Sequence, residues 1–594
     1  MGAIEFHANY RQSWMACGAF TRVRSFLSVP EHSLTLHRPQ YSADWGDYIS
    51  FAERMRKKAD DDGVDLLLVD TGDRIEGNGL YDASDPKGKY TYDIFKEQDI
   101  DVICTGNHEL YQIDAAAREY TQTVPNFKGK YLASNLDYID QKTGDQIPMA
   151  QRYRKFTTKN QGIRVLAFGF LFDFTGNANN TRVQPVEKTI QEKWFQEAIR
   201  EDVDLFLVIG HVTLPGPEYK ALFKAIRSQN WDTPIQFFGG HSHIRDFAKY
   251  DSKAYGLQAG RYMETIGWMS IDGIQGKGKE GPKDAKARAS MSFQRRYIDT
   301  NLFGYHYHTG LNETTFSTDH GKNVSAMIHS SRKALNLDHN YGCAPKDLWL
   351  NRAPYPSNDS ILTWLETEVV PAIAVSPKRK DTPTLAITNT GAMRFDIFKG
   401  AFTRDTTYIV SPFVSKFLFL KDVPYKSAKA LLPLLNSGGP VFDGTELKTE
   451  QLAPPEQISI QSDIIAPSLP SSSFTFSANS HQHPLFSTPE DKDPDLVPGY
   501  TTKDAAGTDG DDTLHAPISF YIVPNCIQSP ISLPKDKDPD VVDLVFIDFI
   551  QPWVLTALQF TGEKYNKSDV AVYREETLTD LMAEWIREHW KHEC

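Results

Sequence analysis

FFGGHSHIRD, from Phe237 to Asp246, follows an apolar run with two glycines and then two histidines one residue apart. Gly239 and Gly240 let the chain bend sharply there, since a residue without Cβ reaches backbone angles closed to the others. Two imidazoles just beyond such a bend are either solvated side chains or neighbours turned onto one ion or ion pair. The ends of the other apolar runs decide between these.

VDLLLVDTGDR ends in Asp73, and IDVICTGNHE ends in Asn107, His108 and Glu109. VDLFLVIGHV ends in His211, and IQFFGGHSH ends in His241 and His243. In open α/β sheets the carboxyl ends of the strands form the crevice where ligands bind, and four separate runs each deliver polar groups to it. A lone histidine in such a place is more often a satisfied structural residue. A set of Asp, Asn and His, each behind a glycine at the end of an apolar run, points instead to a metal centre. Mixed oxygen and imidazole donors suit zinc, manganese or iron rather than calcium or a thiolate site.

Helical and strand patterns alternate through the same half. Tyr48, Phe51, Ala52 and Met55 share one helical face; so do Ile190, Trp194, Phe195 and Ala198, and then Tyr219, Leu222, Phe223 and Ile226. Short apolar runs lie between them, which predicts a layered α/β domain over roughly residues 36–300. The second half restarts with a helical pattern near Ser360–Val370, and strands are expected in TPTLAITNTGAM and TTYIVSPF. LAPPEQ, APSLPSSSFTFSANSHQHP and STPEDKDPDLVP make residues 438–498 read as a Pro/Ser-rich insertion or mobile loop, with His481 and His483 not expected to be ligands.

At 594 residues the chain exceeds one core, so at least two domains are expected. A net charge of −13 leaves no broad basic surface for nucleic acid or anionic lipid. A phosphate-bearing substrate would therefore be held locally, by ions or a few arginines. Asp543, Asp548, Gln551 and Pro552 interrupt the longest apolar stretch, Val541–Phe560, which predicts buried strand and turn and no membrane span. The first residues lack the basic start and apolar core of a signal peptide. Five scattered cysteines without a CxxC pair indicate neither a disulfide framework nor a cysteine-zinc site. Sequons at Asn179, Asn312, Asn323, Asn358 and Asn566 are compatible with secretion.

The ordered series GD, GNHE, GH and GHxH resembles the calcineurin-like metallophosphoesterases. That resemblance implies a four-layer β-sandwich flanked by helices and a centre of two divalent ions (zinc, manganese or iron). It implies that Asp73 bridges the ions, that Asn107, His211 and His241 complete one site, and that His243 serves the other. His108 matches the histidine that stabilises the phosphoryl transition state and leaving group, with a metal-bound hydroxide as nucleophile. TNTGAMRFDIFKG, SPFVSKF and GTDGD resemble segments of the C-terminal α+β substrate domain of the 5′-nucleotidases. They imply that Asn389 and Arg394 contact substrate, that Phe413 stacks on a base and that Asp509 binds ribose, with Arg352 a looser match. The two-domain resemblance spans roughly residues 36–594 apart from the Pro/Ser-rich insertion, YSADWGDYISF, VDTGDRIEGNGLYDAS and GGHSHIRDF resemble a fungal group of this family, and the resemblance implies a secretory, vacuolar or extracellular location.

The sequence departs from that pattern in three places. No Asp-x-His pair for the first ion precedes Tyr41, since Glu31 and His32 are adjacent and Glu5-x-His7 lies far upstream. Tyr111 stands where an Asp orients the GNHE histidine, and Lys503 stands where a second base-stacking Phe is expected. The expected organisation is a divergent segment 1–35, a phosphoesterase domain 36–310, a linker and helix 311–345, and a nucleotidase-like domain 346–594. The leading expectation is hydrolysis of nucleotide-like phosphomonoesters. The alternatives are a catalytically weak metal-binding or scaffold protein holding about one ion per chain, and, third, a redox iron protein.

Overall fold

The computed structural model describes residues 42–274, 291–375, 379–437, 441–442, 445, 447, 449–457, 497–498, 515–516, 521–534 and 536–594. Glu5, His7, Glu31, His32, His481, His483, Lys503 and Asp509 lie outside the described residues. The first described helix, α1 (Trp45–Asp62), starts at a reciprocal capping box between Asp44 and Asp47 and stops at Gly63 in the left-handed conformation. Its Tyr48, Phe51 and Ala52 face is buried, as their spacing predicts.

Two short parallel strands follow, β1 (Val69–Asp70) and β2 (Val102–Ile103), with Asp70 opposite Ile103. Next come β3 (Tyr153–Thr157), β4 (Arg164–Leu171), β5 (Leu205–His211), helix α2 (Pro217–Gln229), β6 (Ile235–Phe238), β7 (Arg245–Asp251) and β8 (Ala254–Ala259). These strands form one sheet in the order β7-β8-β6-β5-β4-β3. A hairpin of β9 (Thr265–Asp272) and β10 (Ser292–Asp299) and the helix α3 (Asp319–Ala334) complete this half.

Alternation along the strands builds four layers. Leu205, Leu207 and Ile209 of β5 join Val69, Val102 and Met269 in the core between the sheet layers. Phe206 and Val208, one residue out of phase, pack on the outer side with Tyr219, Leu222 and Ile226 of α2. Leu68, Ile103, Ile266 and Ile298 turn the other way, onto α1 and onto Val324 and Ile328 of α3. Burying each such side chain contributes about 1.5–3 kcal/mol, so a one-residue slip of β5 would exchange both cores at once.

The later half is an α+β unit. It includes β11 (Thr384–Asn389), helix α4 (Arg404–Val410), β12 (Lys416–Pro424), β13 (Cys526–Ile531), β14 (Val541–Ile547), helix α5 (Gln551–Phe560) and β15 (Ala571–Thr577). Its sheet runs β13-β11-β14-β12-β15, with Leu385 opposite Leu544 in a parallel pair.

The structure corrects several expectations. TTYIV is helical, because Thr403 and Thr406 form a capping box that starts α4 and buries Ile409 and Val410. The apolar stretch after β14 becomes α5 instead of a turn, with Pro552 in its first turn where a missing N–H costs nothing. Ile190–Ala198 is divided between two short helices, Val186–Thr189 and Lys193–Ala198. Cys343 and Cys594 form a disulfide. Within the segment expected to be loose, Leu452, Ala453, Glu456 and Gln457 are buried.

Candidate metal and phosphoester site

The β1–β2 register carries two turns away side by side, and glycine lets them touch. Gly72 has φ +91°, and a Cβ on it would run into the Gly106 backbone. A Cβ on Gly106 would strike the Asp73 carboxylate. Glu109 then ties the turns together: its Oε2 accepts from Asp73 N at 2.9 Å and from Gly106 N at 2.8 Å, and its Oε1 accepts from Arg74 N. Burial pushes the Glu109 carboxyl above the usual range, against the pull of the neighbouring Arg74 guanidinium. Burial likewise raises Asp70, whose Oδ1 pairs with Arg74 at 2.7 Å. The sequence points to Glu109 only as part of GNHE, since its bonds to Asp73 and Arg74 span 36 and 35 residues and leave no local pattern.

Asp73, held in this way, sits beside two histidines of its own domain, His108 and His211. Its Oδ1 accepts from His108 N at 2.9 Å, while its Oδ2 lies 3.1 Å from His211 Nε2 and 3.8 Å from His108 Nε2. His211 is the last residue of β5, and its Nδ1 donates to Thr71 O at 3.1 Å, which turns Nε2 toward Asp73. The His241 ring lies 5.2 Å from that of His211 and stacks on Phe172 at 4.2 Å. Asn107 gives its Nδ2 hydrogen to Tyr111 Oη at 2.8 Å, and its Oδ1 is buried without a hydrogen-bond partner.

Asp73, His241 and His243 have φ of 62°, 77° and 60°, in the left-handed region that side chains with Cβ avoid. Such backbone strain persists where the surroundings enforce a geometry, and it gathers at functional sites. Asp73, Asn107, His211 and His241 fit a divalent ion by donor chemistry and by the orphaned Asn107 oxygen. Among the described residues, no three His, Cys, Asp or Glu side chains stand ready around a single point, so these donors are grouped and not closed. Next to His243, Asp73 is the only other expected ligand of the first ion among the described residues.

His108 is fully buried, and its Nδ1 meets Glu76 Oε2 at 2.5 Å. Tyr111 packs edge-on against the same ring at 4.9 Å and 86°. Glu76, from the turn that carries Asp73, thus gives the His108 ring the carboxylate partner that Tyr111 cannot. The acidic residue three positions after the GD aspartate is the signal for this pairing that the sequence carries.

The later half closes the other side. Arg394 lies over the Phe413 ring at 4.8 Å, and Phe413 stacks 6.2 Å from His108. The Arg394 carbonyl accepts from Tyr262 Oη. Arg352 packs over Trp349 at 4.3 Å and lies 3.9 Å from Asp396, a carboxylate it shares with Arg261. Asn389 is buried at the end of β11, and its amide donates to Leu452 O at 3.0 Å. The two halves are also joined where Gly79 N donates to Asp405 Oδ1 at 2.8 Å. No described helix is long and apolar enough to cross a membrane.

Comparison with known proteins gives a consistent picture. The calcineurin-like phosphoesterase family matches residues 35–245, and the NAD nucleotidase C-terminal domain matches residues 347–555. An uncharacterised protein of Schizosaccharomyces pombe is 37% identical, covering 94% of this chain and 89% of its own. A protein of Arthroderma benhamiae named "Secreted protein" is 36% identical, covering 94% and 88%. The crystal structure of a 5′-nucleotidase from Candida albicans superposes with a TM-score of 0.82 at 36% identity, covering 97% of this chain and 99% of that one.

Proposed function

The chain belongs to the calcineurin-like phosphoesterases of the 5′-nucleotidase type, hydrolases of phosphate esters, and on that premise we propose that its substrates are nucleotides or nucleotide-like phosphomonoesters. The carrying observation is the grouping of Asp73, Asn107, His211 and His241 beside the His108–Glu76 pair, with Arg394 and Phe413 opposite. Asp73, Asn107, His211 and His241 would hold one divalent ion, and Asp73 with His243 a second. Bound there, the ions supply Lewis-acid charge to the phosphoryl oxygens and acidify a water.

The chain's own residues do the rest. His108 holds a proton at Nε2 for the leaving ester oxygen, and Glu76 fixes the ring through Nδ1. Asn107 presents a neutral oxygen, kept in place by Tyr111, and so adds no charge that would repel phosphate. Arg394 offers positive charge, and the half-buried Phe413 offers an aromatic face to a base. Asn389 acts by holding the segment at Leu452 in place.

The second reading, a weak hydrolase or scaffold with one ion, rests on the His243 side, where Asp73 is the only other expected ligand among the described residues. Phosphate release from nucleoside 5′-monophosphates and from p-nitrophenyl phosphate, with manganese or zinc, tests the proposal. Turnover with preference for the nucleotides supports it. A folded protein that retains metal and releases no phosphate contradicts it, and a single ion per chain in that protein is the signature of the second reading. A secretory location is proposed with it: all five sequon asparagines are exposed, the Cys343–Cys594 disulfide suits an oxidising compartment, and a relative is named as secreted.

A further inference from the structure

LAPPEQ, in the Pro/Ser-rich stretch, is part of the site. Thr449–Leu452 forms a single 3-10 turn, Leu452 O takes the Asn389 amide, and the chain then places Glu456 in the interior at 1% exposure. Glu456 Oε1 lies 3.1 Å from His243 Nδ1 and accepts from Arg261 Nη1 at 2.7 Å. Glu456 Oε2 is buried without a hydrogen-bond partner. Arg261 is itself buried, stacks on Phe395 at 4.8 Å and reaches toward Asp396 at 3.9 Å. His243 and Glu456 are 213 residues apart in the chain and come from different halves of the molecule.

We propose that Glu456 is the positioning residue of the metal-binding histidine His243, so that uptake of the ion on the His243 side depends on a carboxylate supplied by the substrate-binding half. This rests on the functional reading above, because it requires His243 to bind metal. A ring nitrogen that donates to a carboxylate fixes the tautomer and the ring plane and makes the opposite nitrogen a better ligand. With Nδ1–H given to Glu456, Nε2 is the ligating atom. Arg261 balances the charge that a buried carboxylate would otherwise carry uncompensated. The His243 side has few described donors, so orientation of the ring weighs more there than at His211, whose partner is the backbone carbonyl of Thr71.

The test is manganese binding by calorimetry and elemental analysis on the full chain, wild type against Glu456→Gln and Glu456→Ala, with the melting temperature of each metal-free protein measured alongside. The expected result is two ions in the wild type and a loss of about 10–100-fold in affinity for one of them in the variants. The other ion is retained, and phosphate release recovers as manganese is raised. Unchanged affinity for both ions overturns the inference, whether or not the melting temperature falls, and makes Glu456 only the ion-pair partner of Arg261. A wild-type protein that takes up a single ion, kept equally by the variants, overturns the inference and leaves the one-ion reading, and a wild-type protein that takes up no manganese or zinc overturns the functional reading and this inference with it.

Discussion

The two halves of the candidate metal centre are built in different ways. Asp73, Asn107, His211 and His241 all come from strand ends of the first half and are set by its sheet register and by the Glu109 staple. His243 leaves the same turn as His241, yet its ring is held by Glu456 from the other half of the molecule. The first group can be assembled once one layered fold forms. The second is complete only when both halves are docked, which on the proposed reading would link metal uptake to the half proposed to bind substrate.

The sharpest way to break this contrast is to remove the group shared by both halves. Asp73→Ala is expected to lower kcat/KM by about 10³-fold or more, since the metal contribution to transition-state charge is several kcal/mol. Metal content should fall for both ions, and steady-state kinetics with elemental analysis checks it. Next in size is Glu76→Gln, which leaves the metal donors in place and loosens His108. The expected effect is a fall in kcat of about 10–100-fold with KM little changed. The defect should shrink for p-nitrophenyl phosphate, whose leaving oxygen needs little help from a proton. A KM effect without a kcat effect would show that Glu76 serves binding instead.

The docking of the later half can be sharpened through its covalent closure. Cys343 and Cys594 are 251 residues apart and bridge the start of this half to the end of the chain. Cys343→Ser is expected to lower unfolding stability by about 2–5 kcal/mol, read by denaturant melts, while the folded fraction keeps its activity.

The smallest effect belongs to the helix layer of the first half, remote from the site. His320 lies between Glu53 at 2.8 Å and Glu97 at 3.1 Å, and the hydrogen bond to Glu53 above all raises its pKa over the ordinary 6.5. Its stabilisation is therefore full below about pH 6.5 and is lost as pH rises through the higher folded-state value. The side chain is partly exposed, so the loss is small. Melting temperatures of wild type and His320→Gln should converge as pH rises through that window, and a constant gap would contradict the assignment.

What could be read in the sequence follows from range. Each donor of the Asp73 group ends an apolar run behind a glycine, so local pattern sufficed to propose Asn107, His211 and His241 as ligands. The layered α/β fold was legible for the same reason, because strand and helix periods are local. TTYIV was misread because its β-branched residues favour strand, whereas the Thr403–Thr406 cap and burial of Val410 select helix. Glu76, Glu456 and the Cys343–Cys594 bridge were missed because their partners lie 32, 213 and 251 residues away. No periodicity reports a pairing over that distance. Composition misled for LAPPEQ, since two prolines and polar neighbours look like a solvated loop even where Leu452 and Glu456 are buried.

The central claim is that side chains from separate turns share one cation. Anomalous diffraction from crystals soaked in manganese or zinc tests it most directly. The account predicts a peak about 2.0–2.2 Å from Asp73 Oδ2, His211 Nε2 and the Asn107 oxygen. A clear map with no peak at those atoms, or with metal bound only elsewhere, would contradict it.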